Sequence, residues 1–85
     1  MKNNDNWIEG KLGYNHKNER YGLLISDLWK NDGFHCGDSL QIKIDDIWLD
    51  TSFEMDWSDG TGVWYLTNTD IRGNAIENII ARIKR

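Results

Sequence analysis

Eleven residues in the middle of the chain alternate between apolar and polar side chains. The apolar series, with one threonine, is Ile47, Leu49, Thr51, Phe53, Met55 and Trp57, and the polar series between them is Trp48, Asp50, Ser52, Glu54 and Asp56. Because successive side chains of a β-strand point to opposite faces, this pattern predicts a strand with one buried face. Leu40, Ile42 and Ile44 alternate in the same way, and Asp45-Asp46 then predicts a tight turn into the long strand.

Turn-forming residues divide the rest of the chain into further strand candidates. Residues 7–14, 21–25 and 63–67 are rich in apolar and aromatic side chains and are separated by Gly, Asn and Asp. Proline is absent, so these three residue types must form the turns. The sequence therefore predicts one mainly β domain over residues 1–85, with a flexible polar segment at residues 1–6.

The C-terminal segment fits two structures. Ile76, Ile79, Ile80 and Ile83 recur at helical spacing, and Asn74 with Glu77 could form a capping box. Ile79, Ala81 and Ile83 also alternate with Ile80, Arg82 and Lys84, as in a strand. The pattern alone slightly favours the helix and leaves both structures open.

Acidic residues are concentrated in the middle of the chain. The formal net charge is −4, but residues 35–71 contain eight carboxylates and one basic residue, Lys43. Binding to nucleic acid by counterion release requires clustered Lys and Arg, so this balance argues against direct nucleic-acid binding. It indicates instead a partner with a basic surface.

The sequence also excludes several classes of protein. A single cysteine, Cys36, allows neither an internal disulfide nor a zinc site built on paired cysteines. The N-terminus lacks the apolar run of a signal peptide, and no stretch approaches the roughly 20 apolar residues of a membrane span. We therefore expect a cytoplasmic protein with no membrane association and no cofactor.

Several short motifs follow one another in order along the chain: Arg20-Tyr21, Phe34-His35-Cys36-Gly37, Trp48, Phe53-Glu54-Met55, Trp64-Tyr65-Leu66 and Ala81-Arg82-Ile83. Together they resemble a family of small bacterial domains of unknown function that is found in bacteria and their mobile elements. The resemblance covers residues 10–84. This chain departs from the family pattern at Asp46-Ile47, where the family has Gly-Lys, and at Ser52-Phe53, where it has Arg-Ile.

The resemblance implies a small, strongly bent antiparallel sheet or SH3-like barrel of five or six strands. Residues 79–84 would then form a closing strand, with a short helix or helical turn near residues 74–80. An α+β fold with a C-terminal helix is the alternative. The resemblance implies no catalytic residues, because the family has no assigned activity.

The residues that could carry catalysis or bind a metal do not form a recognisable site. Adjacent residues of an extended chain point to opposite sides, so His35 is poorly placed to activate Cys36, and we expect Cys36 to lie in the core. A glycosidase-like pair among Asp50, Glu54 and Asp56 would need a deep cleft that so small a domain hardly offers. Residues 56–67 do not match a calcium loop, because the sixth position is Thr61 in place of glycine and the twelfth is Thr67 in place of glutamate. We predict no enzymatic activity and no metal site.

The tryptophans indicate where a partner could bind. Most of the five are expected in the core, but Trp48 shares the polar face of the long strand. An aromatic residue beside carboxylates is typical of a protein-binding surface, although a terminus could equally cover it. The predicted partner-binding residues are Asp45, Asp46, Trp48, Asp50, Glu54, Asp56 and Asp59.

Three functions follow from these observations. The first is a non-enzymatic interaction module, encoded by a mobile element, that binds a basic protein surface and inhibits a nucleic-acid enzyme such as a bacterial defence nuclease, in the manner of an anti-CRISPR protein. Its carboxylates would occupy a site normally used by phosphates. The second is an SH3-like or OB-like nucleic-acid-binding module that uses aromatic residues and the basic tail, Arg72, Arg82, Lys84 and Arg85. The third is a structural accessory domain of a larger complex.

Overall fold

The computed structural model describes residues 6–85 as one strongly curled antiparallel sheet. Its strands are β1 (Trp7–Asn15), β2 (Arg20–Ile25), β3 (Leu28–Trp29), β4 (Ser39–Ile44), β5 (Ile47–Asp56), β6 (Val63–Leu66) and β7 (Ile80–Lys84). Their order across the sheet is β3-β2-β1-β7-β4-β5-β6. The prediction of a small bent sheet is confirmed, with seven strands in place of five or six because the two-residue β3 is added.

The C-terminal segment is a strand preceded by a short helical turn. A 3-10 turn spans Gly73–Ile76, and β7 then inserts between β1 and β4. Ala81 is buried in the core, while Arg82 lies on the opposite face. The alternative fold with a C-terminal helix is therefore wrong. The isoleucines recur at helical spacing although they do not share one helix, because Ile76 belongs to the 3-10 turn and Ile83 to β7.

Two long strands produce the curl because each is shared between two partners. The first half of β1 pairs with β7 and its second half with β2. In β5, residues 47–52 pair with β4 and residues 53–56 pair with β6. Gly10 lies where β1 changes partner, and a Cβ there would overlap the backbone carbonyl of Leu24. Glycine at this position lets two backbones approach closely enough for the sheet to bend.

The loop between β3 and β4 joins the two halves of the curled sheet. The Phe34 N–H donates to the Tyr21 carbonyl at 2.7 Å, and the Gly37 N–H donates to the Phe53 carbonyl at 2.8 Å. This loop therefore bonds to β2 at one end and to β5 at the other. The Trp64 indole N–H adds a bond to the Glu19 carbonyl at 3.2 Å.

An aromatic cluster forms the centre of the core. Phe53 is fully buried and stacks on Phe34, with ring centres 4.7 Å apart. Tyr21 lies 6.1 Å from Phe53 on a nearly parallel plane, and Trp64 meets Phe53 edge-on at 6.0 Å. Large rings remove much apolar surface from water, so this cluster is a principal stabilising element of a small domain.

The distribution of tryptophans corrects the sequence prediction. Only Trp64 is buried, whereas Trp57 is 66% exposed and Trp29 41% exposed. Trp57 follows the last residue of β5, so its place in the alternation no longer fixes its side chain against the core. The expectation that most of the five tryptophans fill the core is wrong.

Residues 1–5 lie outside the part that the structure describes, and with them most of the segment predicted to be flexible. Asn6, the last residue of that segment, accepts a hydrogen bond from the Arg85 N–H at 2.9 Å through its carbonyl. This bond extends the pairing of β1 with β7 by one residue.

None of the helical turns within residues 6–85 combines the length and the apolar character that crossing a membrane requires.

Candidate functional site

The alternating residues of β5 lie on two faces, as their sequence pattern predicts. Thr51 and Phe53 are buried on the inner face. Trp48, Asp50, Ser52, Glu54 and Asp56 lie on the other face, which we call the outer face of the sheet. The outer face also carries Gln41 and Lys43 of β4, Arg82 and Lys84 of β7, and Trp7 of β1, by the register of these strands. Four of the seven residues predicted to bind a partner, Trp48, Asp50, Glu54 and Asp56, lie on this face.

Trp48 is half-buried because a basic side chain covers its ring. The guanidinium carbon of Arg82 lies 4.1 Å from the Trp48 ring centre and 4.3 Å from the Trp7 ring centre. We call these three residues the Trp–Arg stack. A guanidinium between two indole rings is held by cation–π attraction, and its methylene groups cover apolar ring surface.

Hydrogen bonds tie the stack to the acidic strand. The Arg82 Nε–H donates to Gln41 Oε1 at 2.8 Å, and Gln41 Nε2 donates to Asp50 Oδ1 at 2.8 Å. The chain of contacts therefore runs across three neighbouring strands from β7 through β4 to β5. Asp50 is held in place by an uncharged amide, and within residues 6–85 it forms no ion pair.

Lysines surround the stack without pairing with the carboxylates. The Lys43 ammonium lies 5.5 Å from the Trp48 ring centre, and that of Lys84 lies 5.0 Å from the Trp7 ring centre. Within residues 6–85, ion pairs occur only between Arg72 and Asp56 and, if His35 is protonated, between His35 and Asp38. The basic residues of β4 and β7 therefore lie over aromatic rings, and Asp50 and Glu54 of β5 have no ion pair within residues 6–85.

The remaining predicted site residues are dispersed along the hairpin. Asp45 and Asp46 form the tight turn between β4 and β5, both with positive φ, and both are exposed at the tip. Aspartate tolerates this left-handed conformation better than most residues, so the predicted turn is confirmed. Asp59 lies in the loop after β5 and accepts hydrogen bonds from the N–H and hydroxyl of Thr61, each at 3.2 Å.

Glu54 and Asp56 have different surroundings at the far end of β5. Glu54 is half-buried opposite Tyr65 of β6 and has no ion pair within residues 6–85. Asp56 accepts from the Ser58 N–H at 2.8 Å and pairs with Arg72 at 2.9 Å. These two donors, the Ser58 N–H first, lower the pKa of the Asp56 carboxyl from its ordinary 3.8 to about 2.

The seven predicted residues thus do not form one cluster. Trp48, Asp50, Glu54 and Asp56 share the outer face, whereas Asp45 and Asp46 lie at one end of the hairpin and Asp59 at the other. Ten strand residues separate these ends, which is about 30 Å at the rise of a β-strand. The candidate site is therefore an open surface on which carboxylates lie beside the Trp–Arg stack, and it is not a closed pocket.

The sequence analysis missed the residues that complete this surface. Trp7 was covered only by the general expectation that most tryptophans fill the core, and Arg82 was considered as part of a basic tail. Their positions follow once residues 80–84 are taken as a strand, because Arg82 then alternates with the buried Ala81. Trp7 likewise alternates with Ile8, which faces the core.

A shallow groove of about 300 Å³ opens beside the Trp–Arg stack. Its lining includes Trp7, Gln41, Asp50 and Lys84, together with Ser39 and Leu40. Around its apolar floor lie four different groups: an indole ring, an amide, a carboxylate and an ammonium group. Such a combination can contact a side chain of a protein partner through both apolar and charge-assisted interactions.

Cys36 and His35 contradict one expectation from the sequence. Cys36 is exposed, not packed in the core. The segment from His35 to Asp38 is a surface turn, in which the His35 N–H donates to the Asp38 carboxylate at 2.8 Å. The core position expected for Cys36 is filled by Phe34, two residues earlier. No three His, Cys, Asp or Glu side chains in the described part of the chain come together as a potential metal site.

Comparison with other proteins identifies the family of this fold. A crystal structure of a protein from Ruminococcus gnavus is similar, with a TM-score of 0.72 and 25% sequence identity over 89% of this chain and 100% of that one. No curated protein matches the chain. The model of a domain of unknown function, DUF5348, matches residues 10–83, which confirms the resemblance seen in the short motifs. The chain therefore belongs to the DUF5348 family of domains of unknown function.

Proposed function

We propose that this domain is a non-enzymatic interaction module whose outer sheet face binds a basic surface of a protein partner. The observation that carries this proposal is the lack of cationic partners for Asp45, Asp46, Asp50, Glu54 and Asp59 within residues 6–85, although Lys43 and Arg82 lie on the same sheet. Unneutralised carboxylates attract a basic surface at long range. The Trp–Arg stack supplies a rigid apolar centre of the kind that anchors interfaces.

The partner class that we propose is a nucleic-acid enzyme, such as a bacterial defence nuclease, that the domain inhibits. Carboxylates spaced along an extended strand resemble a row of phosphate charges, and a basic nucleic-acid channel would bind both. The resemblance to domains of mobile elements supports this choice, because such elements encounter host nucleases. Binding of this kind weakens as salt screens the charges.

The test is a pull-down of host proteins by the tagged domain at low and high salt, from bacteria that express defence nucleases. The double variant Asp50→Lys and Glu54→Lys should lose the captured enzyme. A matched control, Asp32→Lys and Asp70→Lys, changes the net charge equally at exposed carboxylates outside the outer face of β5 and should retain it. Equal capture by the double variant and the wild type would refute the outer face as the binding site.

Inhibition is measured on the captured enzyme after purification. Stoichiometric addition of the domain should reduce nucleic-acid cleavage, and excess DNA should relieve the inhibition by competition for the same channel. Stable capture without loss of cleavage would favour the structural accessory role instead.

A nucleic-acid-binding function is the second candidate because Lys43, Arg82 and Lys84 gather around Trp7 and Trp48. Aromatic rings beside basic side chains are typical of surfaces that stack single-stranded bases. In this chain, however, the basic groups already lie over the rings, and Asp50 lines the adjoining groove. A mobility shift of single-stranded DNA that Trp48→Ala removes would establish this function over the first.

A further inference from the structure

A second pocket, of about 370 Å³, lies between the β1–β2 hairpin, β6 and the 3-10 turn. Its principal lining residues are Tyr14, His16, Tyr21, Trp64, Asn74 and Glu77. None of them lines the groove beside the Trp–Arg stack. The pocket is therefore separate from the outer face on which the proposed function rests.

Four of the nine residues that line this pocket are aromatic. The Tyr14 ring meets the Tyr21 ring edge-on at 5.0 Å and the His16 ring edge-on at 4.8 Å. Tyr21 and Trp64 are buried, and their polar atoms are already bonded, Tyr21 Oη to the Gly73 carbonyl and Trp64 Nε1 to the Glu19 carbonyl. The rings are thus fixed in place, and their electron-rich faces attract cations.

Glu77 contributes a negative charge at the rim. Its side chain is exposed and has no ion pair within residues 6–85. Its field reaches the pocket, because the pKa of the Tyr21 hydroxyl is raised by burial and, next, by the Glu77 carboxylate. A carboxylate beside fixed aromatic rings is complementary to an organic cation.

The chemistry of the pocket favours a guanidinium over an ammonium group. A guanidinium is planar, stacks on aromatic rings, pairs with a carboxylate through two N–H groups and is more weakly hydrated than an ammonium. The pocket offers one carboxylate only, so a strongly hydrated ammonium would lose more on leaving water. Elsewhere in this chain an aromatic ring already accepts a guanidinium, with Arg82 at 4.1 Å from the Trp48 ring centre. At the pocket itself, the guanidinium of Arg20 lies 5.8 Å from the Trp64 ring centre.

We infer that the pocket formed by Tyr14, His16, Tyr21, Trp64 and Glu77 binds an arginine side chain presented by a protein partner. The guanidinium lies against the aromatic rings and pairs with the Glu77 carboxylate. This site does not depend on the proposed function of the outer face, because its residues differ and it can be tested with a single blocked amino acid.

The test is an NMR titration of the ¹⁵N-labelled domain with arginine blocked at both ends. We expect saturable shifts of the Trp64 indole N–H and of the backbone N–H groups of Gly73 and Glu77. The dissociation constant of so small a probe should be on the order of millimolar. Blocked citrulline, which has nearly the same shape without the charge, should produce no saturable shift, and blocked lysine should bind more weakly.

Two variants locate the site. Glu77→Gln should weaken arginine binding about tenfold, the usual loss for one charge-assisted contact. Glu9→Gln, a matched change of an exposed carboxylate outside the pocket, should leave the affinity unchanged. Both positions are exposed, so an unchanged spectrum elsewhere shows that the fold is retained. Citrulline or lysine binding as tightly as arginine, or shifts confined to β5, would overturn the inference.

Discussion

The guanidinium carbon of Arg82 lies 4.1 Å from the ring centre of Trp48, and the same group lies 4.3 Å from the ring centre of Trp7. These residues come from β7, β5 and β1, which are far apart in sequence. One side chain therefore joins the N-terminal strand, the C-terminal strand and the central hairpin. It also places a positive charge over Trp48, the one aromatic residue among the predicted partner-binding residues.

The first prediction concerns the contribution of this stack to stability. Arg82→Ala should lower the free energy of unfolding by about 1–2 kcal/mol, because it removes two cation–π contacts and one hydrogen bond. Arg82→Lys should recover only part of this loss, since an ammonium cannot lie flat between two rings. Urea denaturation, followed by tryptophan fluorescence, measures both values.

The control is Lys11→Ala, an exposed position on β1. It should change the free energy of unfolding by no more than about 0.5 kcal/mol, as is usual for surface substitutions. Equal stability of the Arg82→Ala and Lys11→Ala variants would show that the stack contributes nothing to the fold.

The second prediction concerns the bend of β1 at Gly10. A Cβ at this position would overlap the carbonyl oxygen of Leu24, and backbone cannot move aside as a side chain can. Gly10→Ala should therefore lower the free energy of unfolding by about 2–3 kcal/mol, the upper range for overpacking. Thermal and urea unfolding of the variant provide the measurement.

Gly22 supplies the comparison for Gly10. A Cβ on Gly22 would approach the Trp29 ring at 3.0 Å, but Trp29 is 41% exposed and has room to shift. Gly22→Ala should cost less than about 1 kcal/mol, because a movable ring relieves the contact. A loss at Gly22 as large as that at Gly10 would mean that backbone overlap does not set the cost.

The third prediction concerns the stability of the fold at low pH. The Asp56 pKa is about 2 in the folded chain, below its ordinary 3.8, so the folded state holds this carboxylate charged more strongly than the unfolded state does. The stability from Asp56 is therefore complete above about pH 4 and is lost as the pH falls through about 2. The side-chain carbonyl signal of Asp56, followed by NMR against pH, gives the value directly.

Arg72→Ala separates the two donors that lower this pKa. The Ser58 N–H is the larger cause and remains in the variant, whereas the guanidinium is lost. The Asp56 pKa should therefore rise and yet stay below 3.8. A return to 3.8 would show that Arg72 alone is responsible, and no change would show that the ion pair has no effect.

The alternation of apolar and polar residues was sufficient to predict the sheet, but it was not sufficient to predict which residues meet on its outer face. In β5 the two-residue period correctly separated Phe53 from Glu54, because a strand buried on one face must repeat every two residues. The tight turn at Asp45-Asp46 was predicted for a similar reason, since only turn residues separate two alternating runs. These features depend on neighbours in sequence.

Features that depend on distant neighbours were predicted less well. Whether Ile80 begins a strand or continues a helix depends on β1 and β4, between which it lies, and the periodicity alone favoured the wrong answer. Alternation with Ile8 places Trp7 on the outer face, but its contact with Arg82, some 75 residues later, follows from no local pattern. The sequence analysis therefore named the acidic residues of the outer face and did not bring its basic residues to the same surface.

The last prediction concerns Cys36, which the structure places at the surface. Its loop lies beside a pocket of about 400 Å³ that Trp57 and Trp64 also line. The folded protein should therefore react fully with one equivalent of a thiol reagent without denaturant, at a rate similar to that of the unfolded chain. Alkylation with iodoacetamide should change the free energy of unfolding by less than about 0.5 kcal/mol, since no buried contact is lost.

Mass spectrometry counts the groups added to Cys36, and the Cys36→Ser variant gives the background. Labelling that requires urea would place the thiol in the core, as the sequence had suggested, and would contradict the surface position of the loop.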